Sequence, residues 1–335
     1  MIQYPTLKNS AKIGVTAPSS GVPESLHTIL REAIEKVEAK GYDVSCGETV
    51  WTQKKAKSAS AKVRADEFNR LMQDEEIDLI VPPWGGELLI EILEHIEFEN
   101  IKPKWILGYS DVSALLFSIT LKTGIATAHG TNLIDLRGDY QDATTAMWES
   151  VLKTKKGEMV VQHSSEAYQK EWDHENPSPC VFHLTEQTEW KSTEDDVSIE
   201  GRLLGGCLDI LTHLVGTPYG DVASFRETHS DEPILWYFEN CDLNTTSVRR
   251  SLVQMKLAGW FDHCSGILFG RSAANQPVNG YVIEDVYEQL AEEIGVPVVY
   301  DIDCGHVPPQ LTLINGARAK MTARNGKGKV VQTFD

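Results

Sequence analysis

Nothing in this 335-residue chain approaches the ~18 consecutive apolar residues that a membrane-spanning helix needs. The opening Met1-Ile2-Gln3-Tyr4-Pro5 lacks the basic and apolar regions of a secretory signal. Basic residues are few: 31 Lys and Arg stand against 49 Asp and Glu, a formal charge of −18. Phosphate and anionic-lipid contacts demand clustered cations, so neither a nucleic-acid nor a membrane partner is expected. Cysteine is sparse and scattered. Cys46, Cys180, Cys207, Cys241, Cys264 and Cys304 form no C-x-x-C pair, which points to free thiols in a reducing cytoplasm. Asp301, Asp303 and His306 are metal-ligand types, but no recognisable ligand motif accompanies them, and no metal or cofactor is expected. Internal repeats and low-complexity tracts are lacking too.

What is present reads as a globular α/β protein. The chain is 41% apolar and 24% charged, and long enough for two domains or one large one. Its first half alternates strands and helices. Lys12–Ala17 predicts a strand, followed by a helix with Leu26, Ile29, Leu30, Ala33 and Val37 on one face and Gly41 as its stop. Tyr42–Val44 is extended, Val63, Phe68, Leu71 and Met72 mark a second helix, and Ile77–Val81 a buried strand. Trp105–Leu107 is another strand, and Val112, Leu115, Leu116 and Ile119 the apolar stripe of the next helix. Such alternation implies a parallel sheet with ligands at the carboxyl ends of its strands. The turns at 17–21, 82–87 and 108–111 leave those ends and are expected to meet. Residues 162–198 are polar and predict a linker and long surface loop. Beyond it, Leu203–Val215 predicts a helix, Ile234–Phe238 a strand, Ser247–Gly259 a helix, Gly266–Phe269 a strand and Val296–Tyr300 another. A closing hairpin turns at Asn325-Gly326. The expected division is 1–160, a linker at 161–198, and 199–335.

Gly108-Tyr109-Ser110-Asp111 places one serine where a buried strand turns into a helix. The helix N-terminus favours negative charge there, and the Asp111 amide could hold an oxyanion. Serine is also a favoured N-cap, so a purely capping Ser110 stays open. A nucleophilic serine needs a base and an orienting carboxylate. His306 lies between Gly305 and the pair Pro308-Pro309, directly after a predicted strand; the plain alternative is a turn histidine. Glu239 follows the apolar run Ile234–Phe238, where burial demands a partner and exposure would not. Gly85-Gly86 could lend a second amide to an oxyanion or simply make a tight turn.

Together these pieces resemble the serine LD-carboxypeptidases, peptidase family S66, which include murein tetrapeptide carboxypeptidases and microcin C self-immunity proteins. The resemblance runs through Ile13–Gly21, Trp84-Gly85-Gly86, Gly108–Asp111, His129-Gly130, Gly201–Gly206, Phe238-Glu239-Asn240, Gly266–Arg271, and Gly305-His306 followed by Pro309. It implies Ser110 as nucleophile, His306 as general base and Glu239 as its orienting carboxylate. The amides of Asp111 and of Gly85 or Gly86 would form the oxyanion hole. It further implies an N-terminal flavodoxin-like or amidotransferase-like parallel-sheet domain, a C-terminal mixed α/β domain, a cleft between them, and a homodimer. One branch removes D-alanine from cytoplasmic murein tetrapeptides; the other cleaves aminoacyl-nucleotide analogues. Trp84, Trp172 and Trp190 are candidate substrate contacts, the last two lying in the long polar segment where an indole could stack on a base or anchor the loop. Thr131, Cys207 and Leu313–Gly316 depart from the family pattern and bear on substrate more than on catalysis. An α/β-hydrolase would carry glycine where Val112 stands. An amidotransferase would carry cysteine at 110. A cytoplasmic peptide or nucleotide sensor is the non-enzymatic alternative.

Overall fold

The computed structural model describes residues 1–171 and 178–335. The N-terminal half contains β1 (Lys12–Val15), α1 (His27–Ala39), β2 (Asp43–Cys46), α2 (Ala61–Gln73), β3 (Ile77–Ile80), β4 (Trp105–Gly108), α3 (Ser113–Thr123), β5 (Thr127–His129) and α4 (Met147–Lys153). The remainder holds β6 (Met159–His163), β7 (Ala167–Tyr168), β8 (Glu186–Gln187), β9 (Lys191–Ser192), β10 (Val197–Cys207), α5 (Leu208–Leu211), α6 (Val222–Thr228), β11 (Ile234–Glu239) and α7 (Thr245–Leu257). It ends with β12 (Cys264–Gly270), α8 (Ile283–Ile294), β13 (Val298–Ile302), β14 (Leu313–Asn315), β15 (Arg318–Arg324) and β16 (Lys327–Thr333).

The first sheet runs β14-β5-β4-β3-β1-β2, with β1 to β5 parallel and β14 antiparallel to β5. Every residue of β4 is buried, the unbroken apolar run expected of a strand covered on both faces. The second sheet runs β6-β16-β15-β10-β11-β12-β13-β9, and β10 to β13 within it are parallel. β7 and β8 pair separately. The closing hairpin is as the sequence predicts, with Asn325 and Gly326 both at positive φ, the geometry Asn-Gly favours in a two-residue turn.

Two expectations need correction. Leu203–Cys207 is strand, and the helix expected over Leu203–Val215 shrinks to α5 and a single 3₁₀ turn at Thr212–Leu214. β10 lies in the middle of the second sheet and is buried continuously from Gly201, so no alternation marks it as a strand. A side chain at Gly205 would run into the backbone of Tyr237 on β11, and that close strand approach is what the glycine serves. The segment 161–198 is likewise more than a linker. β6 begins at Met159 and forms one edge of the second sheet, while β9 forms the other. The boundary expected at 160 therefore cuts through a strand.

The two sheets share one core. α3 is buried from Ser113 to Thr120 and packs on β4 and β5 on one side and on β10 and α5 on the other. Its Phe117 stacks on Trp260 at 5.2 Å, and Trp260 on Trp236 at 5.5 Å; Trp236 in turn lies 5.4 Å from Phe238. A mostly apolar helix whose few buried polar residues carry small hydroxyls can be enclosed between two sheets in this way. Replacing Trp236 by alanine should cost about 3–5 kcal/mol through the cavity it leaves, read as a lowered urea midpoint; an unchanged midpoint would contradict a shared core.

Candidate active site

The carboxyl end of β4 delivers Gly108 to a one-residue step, Tyr109, and then to Ser110, whose φ is +64°. A non-glycine residue there is strained, and such strain persists only where surrounding structure enforces it. The Ser110 hydroxyl caps nothing. It is hydrogen-bonded at 3.0 Å to Nε2 of His306. Nδ1 of His306 lies 2.6 Å from Oε2 of Glu239, the last residue of β11. The side chain of Glu239 is fully buried, and that of His306 is a quarter exposed. Gly305 has a φ of +94° and no room for a side chain, because one would collide with Glu239. The chain therefore turns tightly over the carboxylate and presents the imidazole to the serine.

Burial pushes the Glu239 carboxyl upward, but the charge and hydrogen bond of His306 outweigh it and hold the group below its ordinary range. Burial pushes His306 downward, and Glu239 reverses that, raising the imidazole well above its usual value. For His129 burial outweighs the opposing charge of Glu239. Burial takes it down to about 4, so it is neutral, with its ring edge toward Tyr237.

Gly85 lies against Ser110, and Gly86 against Ser19 and Ser20. A Cβ on Gly85 would stand 2.6 Å from Cβ and 2.8 Å from Oγ of Ser110, and 3.1 Å from the amide nitrogen of Asp111. Gly86 has a φ of +145°, and a side chain there would strike the hydroxyls of Ser19 and Ser20. The three turns expected to converge do so, around a cleft of about 440 Å³. Ser20, Gly21, Trp84, Gly85, Gly86, Tyr109, Ser110 and His306 line it, and so do Pro23, Gln53 and Asn132. Among the described residues its lining includes no Lys, Arg, Asp or Glu.

Trp84 is partly exposed at this cleft and donates from Nε1 to the Ser20 carbonyl at 3.1 Å, joining two of the turns. Trp190 is elsewhere. It is 3% exposed, packs over Gly328 and donates from Nε1 to Asp303 at 2.9 Å. A ring so enclosed has no face to offer a substrate; it anchors the segment to the second sheet. Trp172 lies outside the described residues. Of the residues once considered as metal ligands, Asp303 is taken by Trp190, Ser165 and Arg271, Asp301 pairs with Lys191, and His306 with Glu239. Gln53 and Asn132 were not singled out from sequence. Gln53 is held by the Gly21 amide at 2.9 Å, and Asn132 by that of Tyr109 at 3.4 Å. The only sequence signal near Asn132 was the His129-Gly130 pair just before it.

Serine, imidazole and buried carboxylate in hydrogen-bonded series, at the carboxyl edge of a parallel sheet, are the parts of a serine hydrolase. Comparison with known proteins specifies the kind. The chain belongs to the LD-carboxypeptidase family: residues 13–130 match its N-terminal domain and residues 200–321 its C-terminal domain. It is thus a hydrolase of carboxypeptidase type. It is 27% identical to a probable murein peptide carboxypeptidase of Bacillus subtilis, over 94% of this chain and 90% of that one. It is 25% identical to the microcin C7 self-immunity protein MccF of Escherichia coli, over 100% and 98% of the two chains. Its fold superposes on MccF in complex with aspartyl sulfamoyl adenosine with a TM-score of 0.84 at 22% identity, covering 100% and 99%. The muramoyltetrapeptide carboxypeptidase of Oxalobacter formigenes gives 0.74 at 19% identity, covering 96% and 99%.

Because a β-carbon at 85 would collide with Ser110, one of the two turns must shift, and Gly85→Ala should lose most activity, on the order of 10²-fold or more, with a lowered melting temperature. Full activity in the folded variant would show that the space above Ser110 is not where substrate sits.

Proposed function

We propose that this chain hydrolyses an amide bond in a small peptide, in the manner of an LD-carboxypeptidase, through Ser110, His306 and Glu239. The continuous hydrogen-bonded series from Ser110 Oγ to Glu239 Oε2 carries this reading. His306 takes the serine proton as Oγ attacks the carbonyl, and buried Glu239 stabilises the imidazolium that forms. The oxyanion faces the amide of Asp111 and one of the Gly85-Gly86 amides. Neither amide needs to reorient as charge develops. His306 then protonates the leaving amine and activates the water that clears the acyl-enzyme. A cleft whose described lining includes no Lys, Arg, Asp or Glu leaves a transition-state oxyanion to these fixed dipoles.

A second reading, an immunity-type hydrolase of aminoacyl-nucleotides, has Trp84 in its favour, since its ring is the one tryptophan lining the described cleft. Competition between an L,D-tetrapeptide and aspartyl sulfamoyl adenosine, followed by mass spectrometry, separates the two. Release of D-alanine first supports the peptide reading, and release of aspartate first overturns it. Six free cysteines accord with a reducing cytoplasm. A homodimer, which the family resemblance implies, is checked by light scattering.

Ser110→Ala should remove turnover with the fold intact; residual activity within ~10-fold of the parent would sink the assignment. The pH profile has a definite sign. His306 must be neutral to accept a proton, and Glu239 raises its pKa, so kcat/KM should fall on acidification with an apparent pKa above the ordinary ~6.5 of histidine. Glu239→Gln removes the raising charge and leaves burial, which moves that acid limb to lower pH while kcat falls. An acid limb unmoved by the substitution would mean that the titrating group is not His306.

A further inference from the structure

Val81–Leu88, which carries Gly85 and Gly86, forms no helix or strand. Yet the oxyanion reading requires its amides to be held in place. The neighbouring turn at 17–21 is equally irregular, and the two are bonded directly only from the Ser20 amide to the Gly85 carbonyl, at 3.3 Å, and from Trp84 to Ser20.

Two buried charges close on both turns. Arg64, on α2, is 0% exposed. Its Nη1 donates to the carbonyl of Pro18 at 2.8 Å and to that of Leu88 at 2.9 Å. Asp111, next to the nucleophile and 1% exposed, accepts from the next residue of each turn. Its Oδ2 takes the hydroxyl of Ser19 and the amide of Leu89, the latter at 2.8 Å. The guanidinium therefore holds the carbonyls of Pro18 and Leu88, and the carboxylate holds the donors of Ser19 and Leu89. Glu91 at 2.5 Å and the Ala59 carbonyl at 3.1 Å occupy other guanidinium N–H groups. Burying a guanidinium and a carboxylate is costly. Here both are directed at the backbone beside the oxyanion amides, where such bonds fix position.

We propose that Arg64 and Asp111 are positioning residues: a two-sided clamp that sets the Gly85-Gly86 turn over Ser110 and so builds the oxyanion hole. The clamp rests on the reading of Ser110 as nucleophile, and its test separates the two. In phosphonylation by a fluorophosphonate, Ser110 Oγ displaces fluoride from phosphorus while His306 takes the serine proton, and the reagent's phosphoryl oxygen lies in the same hole; no knowledge of the natural substrate is needed. Arg64→Ala should lower kinact about 10²-fold while KI stays within about threefold, and Ser19→Ala, which leaves no cavity of that size, should lower it about 10-fold. Millimolar guanidinium should restore much of the rate to Arg64→Ala and none to Ser19→Ala. The acid limb of the labelling rate should stay where it is in both variants, since His306 and Glu239 are untouched.

Folded variants that label at the parental rate overturn the clamp. So does a loss accompanied by a shifted acid limb, which would place the effect on His306. If Arg64→Ala does not fold, Ser19→Ala decides by the same two criteria. Failure of the parent to label at Ser110 overturns the nucleophile, and the clamp with it; labelling of the parent with unslowed variants overturns the clamp alone.

Discussion

The bond between His306 and Glu239 is the constraint on which the rest of this structure depends. A carboxylate with no exposed side-chain surface is tolerable only if a partner holds its charge. That partner is an imidazole whose other nitrogen reaches into the first sheet to meet Ser110. Glu239 and His306 belong to the second sheet and its loops; Ser110 belongs to the first. A shift between the sheets by even an ångström would break the series, and effects of that size are large in catalysis. The fold accordingly does not leave the two halves free to move apart. β14 returns from the second half to complete the first sheet, and α3, which starts just past the serine, is packed on both sheets at once.

The strain at Ser110 follows from the same arrangement. A serine at positive φ costs of the order of 1–3 kcal/mol, and the turns pressed around it supply the compensation. Gly85 permits contact with the serine side chain that no other residue would allow. Gly305 does the same over Glu239. Both glycines stand for absent atoms: in each, the missing β-carbon is space that a reacting group occupies.

Much of this was legible in the sequence, for reasons that can be stated. The first-sheet strands are short apolar runs ended by glycine or proline, and the helices between them have clean 3.6-residue stripes, so alternation and the convergence of three turns could be inferred. Glu239 was recognisable as a polar residue at the end of a buried run. β10 was not, because a central strand buried on both faces loses its period-two signature, and its apolar residues also satisfy a helical spacing. The strands at 159–163 and 191–192 were hidden by polar composition, since edge strands expose half their side chains. Arg64 was invisible for a different reason. On paper it is one charged residue in a helix of charged residues, and only the tertiary structure shows that it faces inward.

Trp84 and Trp190, the two candidate substrate contacts among the described residues, show how position, not residue type, assigns a role. From sequence, Trp84 and Trp190 were both candidates for contact with substrate, Trp190 as an indole in a long polar segment that could equally anchor it. Its N–H instead satisfies Asp303, a buried carboxylate three residues before His306 that also takes Ser165 and Arg271. Its contribution is to tie the strands at 186–192 to the loop that carries His306. Trp84, in an unremarkable turn, is the one whose ring reaches the cleft. The described rim of the cleft therefore carries Trp84, Gln53 and Asn132, all on turns at sheet ends, while Ser110 and His306 are set by glycines and buried charges beneath them. Substitutions at these three rim positions leave the hydrogen-bonded series of Ser110, His306 and Glu239 beneath them in place, because none of the three takes part in it.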